Sequence, residues 1–122
     1  ALRDGRPVLA IGIPGAGRIP TAMLQVLLDH LRLGRPLEEA IGDTRLHWQR
    51  PFGRDAVESI EVENSLSADV VAGLRARGWK VDLIETPGTG LHFGGVNAIR
   101  LADDGTRTGY ADPRRTNAAA GH

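Results

Sequence analysis

The turn from Gly12 to Pro20, with the sequence GIPGAGRIP, holds the residues of this chain that are best suited to chemistry. Gly15 and Gly17 lack a Cβ atom, so another group can approach the backbone closely there. An apolar strand precedes the turn and a strongly apolar helix follows it. The first N–H groups of a helix have no partner within the helix, and the helix dipole adds about half a positive charge. The turn is therefore suited to an anion or a developing oxyanion.

The spacing of the glycines separates the kinds of site that the turn could form. A dinucleotide site needs G-x-G-x-x-G, whereas the glycines here fall at 12, 15 and 17. A P-loop needs a Lys-Ser or Lys-Thr pair after the glycines, and the only lysine is Lys80. An oxyanion hole for acyl transfer needs two adjacent backbone donors and little else. A tight corner with no ligand fits the local sequence equally well.

Composition excludes several other classes of function. The 122 residues, 41% of them apolar, predict one domain with a modest core. With 15 acidic and 15 basic residues the net charge is zero, which predicts neither a nucleic-acid partner nor binding to an anionic membrane. The absence of cysteine excludes disulfides and thiolate metal sites, and His30, His47, His92 and His122 share no metal-binding spacing. No metal and no organic cofactor are expected.

The elements that position the turn are predicted to be mixed α and β. After a strand at 8–11, the turn leads into a helix from Pro20 to about Leu33, which ends at Gly34. A short helix follows at 37–41, and a third at 68–77 with Ser67 as its N-cap. Further strands are predicted at 44–49, 59–62, 79–84, 96–101 and 106–111, the last two forming a hairpin. Residues 85–95, with four glycines, are expected to form a long flexible loop.

The first helix is apolar around most of its circumference. Leu24 and Leu28 widen the stripe that contains Val26 and Leu27. We therefore expect Leu24 or Leu28 to be much more exposed than Val26 or Leu27 within this chain, and to be covered by polypeptide from outside it. The alternative is that both leucines pack against the short helix at 37–41.

Two groups of polar residues have a recognisable pattern. Alternation along TRLHWQ places Arg45, His47 and Gln49 on one strand face, either in a polar network or in solvent. In the segment DPRR, Asp112 is expected to pair with Arg114 or Arg115 and to have a structural role.

The order of several sequence blocks resembles the C-terminal part of the small subunit of gamma-glutamyltranspeptidases. The resemblance extends from Asp4 to His122 and is carried by these blocks: PGAGRIPTAMLQVLLDHL, GRPLEEAI, TRLHWQ, SADVVAGLRARGWKV, GVNAIRLADDG and GYADPRRTNAAAGH. It implies an α+β fold in which residues 1–122 form one partial domain, the C-terminal portion of an αββα N-terminal nucleophile hydrolase sandwich. In that sandwich two antiparallel sheets are covered by helices on both outer faces.

The resemblance also implies a chemical role for the turn. The family's turn supplies two consecutive N–H groups to an oxyanion hole, and the matching residues here are Gly15 and Ala16. Ala16 replaces the family's usual second glycine but keeps its N–H, so the donor remains if alanine can adopt the backbone angle there. The implied activity is transfer or hydrolysis of gamma-glutamyl amides such as glutathione.

The family's nucleophile is a threonine that self-cleavage of a precursor places at the start of the small subunit. The sequence here matches a region downstream of that threonine, so the resemblance implies that this chain alone is inactive. The implied partners are the rest of the small subunit, a large subunit and a small gamma-glutamyl substrate, in an exported, periplasmic or secreted enzyme. A related acylase for another amide, and a non-catalytic remnant or binding module, remain open.

Overall fold

The computed structural model describes residues 1–49, 57–86, 92–116 and 118–121, which form an α+β structure. The strands are β1 (Leu2–Arg3), β2 (Arg6–Pro7), β3 (Leu9–Gly12), β4 (Leu46–Gln49), β5 (Ser59–Glu63), β6 (Val81–Ile84), β7 (Asn97–Leu101) and β8 (Arg107–Ala111). The α-helices are α1 (Ile19–Leu27), α2 (Leu37–Gly42) and α3 (Ala68–Ala76). A 3₁₀ turn, Ala16–Arg18, precedes α1, and a π-helical segment, Leu28–Arg32, follows it.

One three-stranded sheet carries the turn. Its order is β3-β7-β8, all antiparallel, and Gly12 pairs with Asn97 at the end where the turn begins. The sheet packs against α1 and α2 through the larger core, which consists of Leu9, Ile13, Ala22, Val26, Leu37, Ala40, Ile41, Val96 and Ala98. The apolar residues of β3 and the apolar stripe of α1 thus pack against each other.

The second sheet has the order β4-β5-β6 and lies beside α3. Val62, Val71 and Val81 form its small core. The pair β5–β6 is parallel because α3 connects the two strands as a crossover, so the expectation of two wholly antiparallel sheets is wrong for this one. Ser67 caps α3 as predicted, since its hydroxyl accepts a hydrogen bond from the N–H of Val70 at 3.4 Å.

Several element boundaries differ from the sequence prediction. The α-helical part of the first helix ends at Leu27 and continues as the π-helical segment to Arg32, two residues before Gly34, whose φ is +73°. A hairpin of β1 and β2 was not predicted; it turns at Asp4 and Gly5, which both have positive φ. The hairpin joining β7 and β8 is confirmed.

The predicted loop at 85–95 is buried at its C-terminal end. Residues 87–91 lie outside the described part of the chain, but Phe93, Gly94 and Gly95 are buried. Phe93 is only 2% exposed. The glycine content of the segment suggested mobility, but here the small size of Gly94 and Gly95 allows other groups to pack closely against the backbone.

Candidate functional site

The candidate turn connects β3 to α1 in a tight path. Ile13 is buried, Pro14 is exposed, and Gly15 enters the 3₁₀ turn. The carbonyl of Gly15 accepts a hydrogen bond from the N–H of Arg18 at 3.3 Å, and the carbonyl of Ala16 accepts one from Ile19. Both carbonyls of the predicted site residues therefore bond forward into the helix.

The N–H groups of these two residues behave differently from their carbonyls. Among the described residues, no hydrogen bond uses the N–H of Gly15 or of Ala16. Ala16 is exposed and Gly15 is half-buried. Among the described residues, the turn thus holds two consecutive N–H groups without a partner, next to a helix N-terminus.

Ala16 has a backbone conformation that alanine rarely adopts. Its φ is +50°, in the left-handed region, where a residue with a Cβ pays about 1 to 2 kcal/mol. The donor expected at this position is retained, but under strain. Such strain persists only where the surrounding structure holds it.

Ala16→Gly is expected to stabilise the protein by about 1 kcal/mol, because glycine has no Cβ to clash at positive φ and the N–H donor is unchanged. Urea unfolding of the complete protein measures the difference, with Ala68→Gly in the first turn of α3 as the control. The control should destabilise, because Ala68 is helical and exposed. A loss of stability in Ala16→Gly would contradict the left-handed conformation.

The segment that follows residue 91 supports the turn from one side. The Cα of Gly94 lies 3.1 Å from the position that a Cβ on Gly15 would occupy. Gly94 itself has a φ of +75°, and a Cβ there would overlap the carbonyl oxygen of Pro14. The two glycines make this close backbone approach possible.

A polar cluster lies on the other side of the turn and joins it to the second sheet. Arg18 donates to Glu61 through Nε at 2.8 Å and Nη2 at 2.9 Å. Nε2 of His92 lies 3.0 Å from Oε2 of the same carboxylate. No local spacing connects these three residues, because Glu61 is 43 positions from Arg18 and 31 from His92 along the chain.

His47 lies next to this cluster. Its Nδ1 is 2.8 Å from the hydroxyl of Thr21 on α1, and His47 is the direct cross-strand neighbour of Glu61. Burial lowers the pKa of His47 below 6.5, and the Arg18 charge lowers it further, although Glu61 acts in the opposite direction. The net effect favours the neutral form of the imidazole.

A buried ion-pair network fixes the supporting segment. Arg45, 1% exposed, donates to Asp112 at 2.5 Å and to the carbonyl of Gly94 at 3.3 Å. Arg114 binds Glu63 through Nε at 2.5 Å and lies 3.3 Å from Asp112. The expected Asp112–Arg114 pair is thus confirmed. Arg45 and His47 take part in polar networks rather than facing solvent, which resolves the two alternatives for this strand face.

The remaining predicted residues have ordinary structural roles or lie elsewhere. Nδ1 of His30 is 2.8 Å from the carbonyl of Arg35, and His122 lies outside the described residues. In the described ranges, no group of three or more His, Cys, Asp or Glu residues could hold a metal ion. The same part of the chain contains no helix that is both long and apolar enough to cross a membrane.

A groove with a volume of about 660 Å³ lies across the first sheet, beside the turn. Its walls include Ile13, Pro14, Asn97, Tyr110 and Ala119, but neither Gly15 nor Ala16. The groove therefore borders the turn without containing the two donors. A cleft at the donors themselves stays a prediction for the complete protein.

The exposure of the first helix follows the sequence prediction. Leu24 is 56% and Leu28 48% exposed, whereas Val26 is 1% exposed and Leu27 is half-buried. The short helix α2 therefore leaves both leucines largely uncovered.

Comparison with known proteins relates the whole chain to one group of enzymes. A family model described as Gamma-glutamyltranspeptidase matches residues 1–122. The chain is 32% identical over 113 residues to the glutathione hydrolase proenzyme of Escherichia coli, covering 93% of the chain and 18% of that protein. It is 34% identical over 111 residues to an acylase proenzyme of a Pseudomonas species, covering 91% of the chain and 18% of that protein.

A solved structure is similar as well. The gamma-glutamyltranspeptidase from Pseudomonas nitroreducens, complexed with L-DON, matches with a TM-score of 0.82 and 27% identity. The match covers 100% of this chain and 59% of that chain. The chain therefore spans only part of the solved structure and 18% of the length of each of the two curated relatives.

Proposed function

Because this chain belongs to the gamma-glutamyltranspeptidase family, we propose that it is part of an enzyme that transfers or hydrolyses gamma-glutamyl groups. Amides such as glutathione are the proposed substrates. Two relatives that match 121 and 113 residues of this chain are glutathione hydrolase proenzymes. The proposal includes location outside the cytoplasm, in the periplasm or secreted, which rests on the family resemblance alone.

The chain's own contribution is electrostatic. When a nucleophile attacks the gamma-glutamyl carbonyl, negative charge develops on the carbonyl oxygen. The N–H groups of Gly15 and Ala16 donate hydrogen bonds to that oxygen and stabilise the tetrahedral intermediate. The observation that carries this proposal is that neither N–H has a partner among the described residues while both carbonyls do.

The threonine nucleophile is proposed to lie outside residues 1–122, in polypeptide that packs against this chain. Two observations support a larger assembly. The chain spans 19% and 18% of the length of the glutathione hydrolase proenzymes of Bacillus subtilis (strain 168) and Escherichia coli. Leu24, Leu28 and Trp48 are 56%, 48% and 44% exposed, which leaves apolar surface for other polypeptide to cover.

Deacylation of a different amide is the second candidate function. It is favoured by the 34% identity to an acylase proenzyme. Both candidates use the same turn and the same oxyanion, so the residues described here do not separate them. The two candidate functions can be separated by comparing activity on a gamma-glutamyl anilide with activity on a glutaryl anilide, because the glutaryl substrate lacks the α-amino group.

Residues 1–122 alone are expected to show no hydrolysis of a gamma-glutamyl anilide, whereas the complete assembly hydrolyses it. The reason is that an oxyanion hole lowers a barrier only when a nucleophile attacks. Release of the aniline, followed by absorbance for both samples at equal concentration, measures this. Turnover by the purified segment that is abolished by changing an internal Ser or Thr would contradict the proposal. An inactive complete assembly would contradict the assignment of substrate.

A further inference from the structure

We propose that Asp4 and Gly5 form a site of spontaneous isoaspartate formation, whereas the fold protects the other Asp-Gly pair, Asp104 and Gly105. These two pairs are the only Asp-Gly dipeptides in the sequence. Each lies at the tip of a β-hairpin, the first between β1 and β2 and the second between β7 and β8. The inference concerns a covalent modification and does not depend on the proposed activity.

The reaction closes a ring between the side chain of an aspartate and the backbone of the next residue. The backbone nitrogen of the glycine attacks Cγ of the protonated aspartate carboxyl group, so an N–Cγ bond forms and the carboxyl OH leaves with the N–H proton as water. Water then opens this succinimide ring. When water attacks the main-chain carbonyl carbon, the original peptide bond breaks and the chain continues through Cγ as isoaspartate. Glycine favours ring closure because it has no Cβ to hinder the approach.

The two sites share the features that the dipeptide itself determines. Asp4, Gly5, Asp104 and Gly105 are all exposed to solvent. Both glycines have positive φ, +76° and +88°, and apart from the chain neighbours no described heavy atom lies within 4 Å of the position of a Cβ. A difference in rate between the sites must therefore come from hydrogen bonds and from the strands beside each turn.

Both reacting groups are engaged at the second hairpin. Oδ1 of Asp104 accepts a hydrogen bond from the N–H of Thr106 at 2.8 Å, and the N–H of Gly105 donates to the carbonyl of Ala102 at 3.0 Å. Hydrogen bonds from the backbone and the side chain of Thr106 hold the pKa of Asp104 below 3.8, which favours the ionised, unreactive carboxylate. Two hydrogen bonds must therefore break before the ring can close here.

Neither reacting group is engaged at the first hairpin. Among the described residues, no hydrogen bond or ion pair uses the carboxylate of Asp4, and none uses the N–H of Gly5. Asp4 also has a φ of +50°, a left-handed conformation that is unfavourable for a residue with a Cβ. Movement of this backbone toward the ring-closing geometry therefore breaks no hydrogen bond of these groups and relieves strain.

The strands beside the first turn also separate more easily. β1 and β2 form a two-stranded ribbon with two residue pairs, and all four of these residues are exposed. Such a ribbon is only marginally stable in water. β7 and β8, in contrast, form five residue pairs within a three-stranded sheet. Local opening therefore costs less at the first hairpin, and its exposed tip accommodates the extra main-chain methylene of isoaspartate.

The test follows isoaspartate at both sites in the complete, folded protein during incubation at neutral pH and physiological temperature. Trypsin separates the sites into peptides 4–18 and 101–107, because it cleaves after arginine but not at Arg6–Pro7. Mass spectrometry with electron-transfer fragmentation distinguishes isoaspartate from aspartate in each peptide. We expect isoaspartate to form at Asp4 at least about tenfold faster than at Asp104, since two hydrogen bonds protect only the second site. An isoaspartate-specific methyltransferase, which esterifies the new carboxyl group, provides an independent count.

Two controls separate the effect of the fold from the intrinsic chemistry. In the same protein unfolded in guanidinium chloride, both sites should react at similar rates, because the protecting hydrogen bonds are lost. Asp4→Glu would have to close a larger ring and should abolish the product in peptide 4–18. The inference is overturned if Asp104 reacts as fast as Asp4 in the folded protein, if the folded protein forms no isoaspartate at Asp4, or if the difference persists after unfolding.

Discussion

Replacing the peptide N–H of Ala16 with an ester oxygen, by placing lactic acid at this position, is expected to lower kcat of the complete enzyme about 10²- to 10³-fold. The replacement removes one donor and leaves the side chain unchanged. Because the oxyanion exists only in the tetrahedral intermediate and the transition states that flank it, KM should change far less than kcat. Steady-state kinetics on a gamma-glutamyl anilide measure both constants.

The matched control is the same replacement at Ala68. This alanine also lies in the first turn of a helix, is exposed, and among the described residues its N–H makes no hydrogen bond. Its ester variant should retain the wild-type kcat. Equal losses at both positions, or none at Ala16, would show that the turn is only a corner between β3 and α1.

Gly15→Pro removes the neighbouring donor by simple mutagenesis, but it changes the backbone as well. The φ of Gly15 is 164°, whereas proline requires about −65°. The turn must therefore rearrange, so a loss of activity in Gly15→Pro combines two causes. The ester variant of Ala16 is the sharper experiment.

Asp112→Ala is expected to destabilise the assembly by about 3 to 5 kcal/mol, the usual result of removing one partner from a buried ion pair. Arg45 is 1% exposed and would lose the Asp112 carboxylate, with which it forms an ion pair. The N–H groups of Val96 and Arg114 would lose their acceptors as well. Urea unfolding followed by circular dichroism gives the free energy of unfolding.

Arg35→Ala serves as the control, because its pairs with Asp29 and Asp43 are partly exposed to solvent and should contribute no more than about 1 kcal/mol. The effect of Asp112→Ala should also depend on pH. Burial alone would raise the pKa of Asp112, but hydrogen bonds from Val96 and Arg114 and the charge of Arg45 lower it below 3.8. A carboxyl group whose pKa is lower in the folded state stabilises the fold at pH values above its unfolded-state pKa. This stabilisation is lost as the pH falls through its folded-state pKa.

The difference between wild type and Asp112→Ala should therefore be full at pH 7 and shrink below about pH 4. A difference that stays below about 1 kcal/mol at pH 7 would show that the carboxylate is not needed to compensate Arg45.

Local patterns were sufficient for most elements. The period of apolar residues located α1 and the strands, and Ser67 marked the start of α3. The hairpin between β7 and β8 followed from its turn residues. These features depend on neighbours in the chain, which is why they were predictable. The parallel pairing of β5 with β6 was not, because strand direction depends on where α3 packs.

For the site, the sequence by itself identified the turn and, through the family resemblance, Gly15 and Ala16. It also determined that Ala16 keeps an N–H despite lacking the usual glycine. Only the tertiary structure decided that Ala16 has positive φ, that Gly94 contacts Gly15, and that Arg18 reaches Glu61. These contacts join residues up to 79 positions apart, from Gly15 to Gly94. Such contacts arise when separate elements pack together, so no local spacing or propensity encodes them.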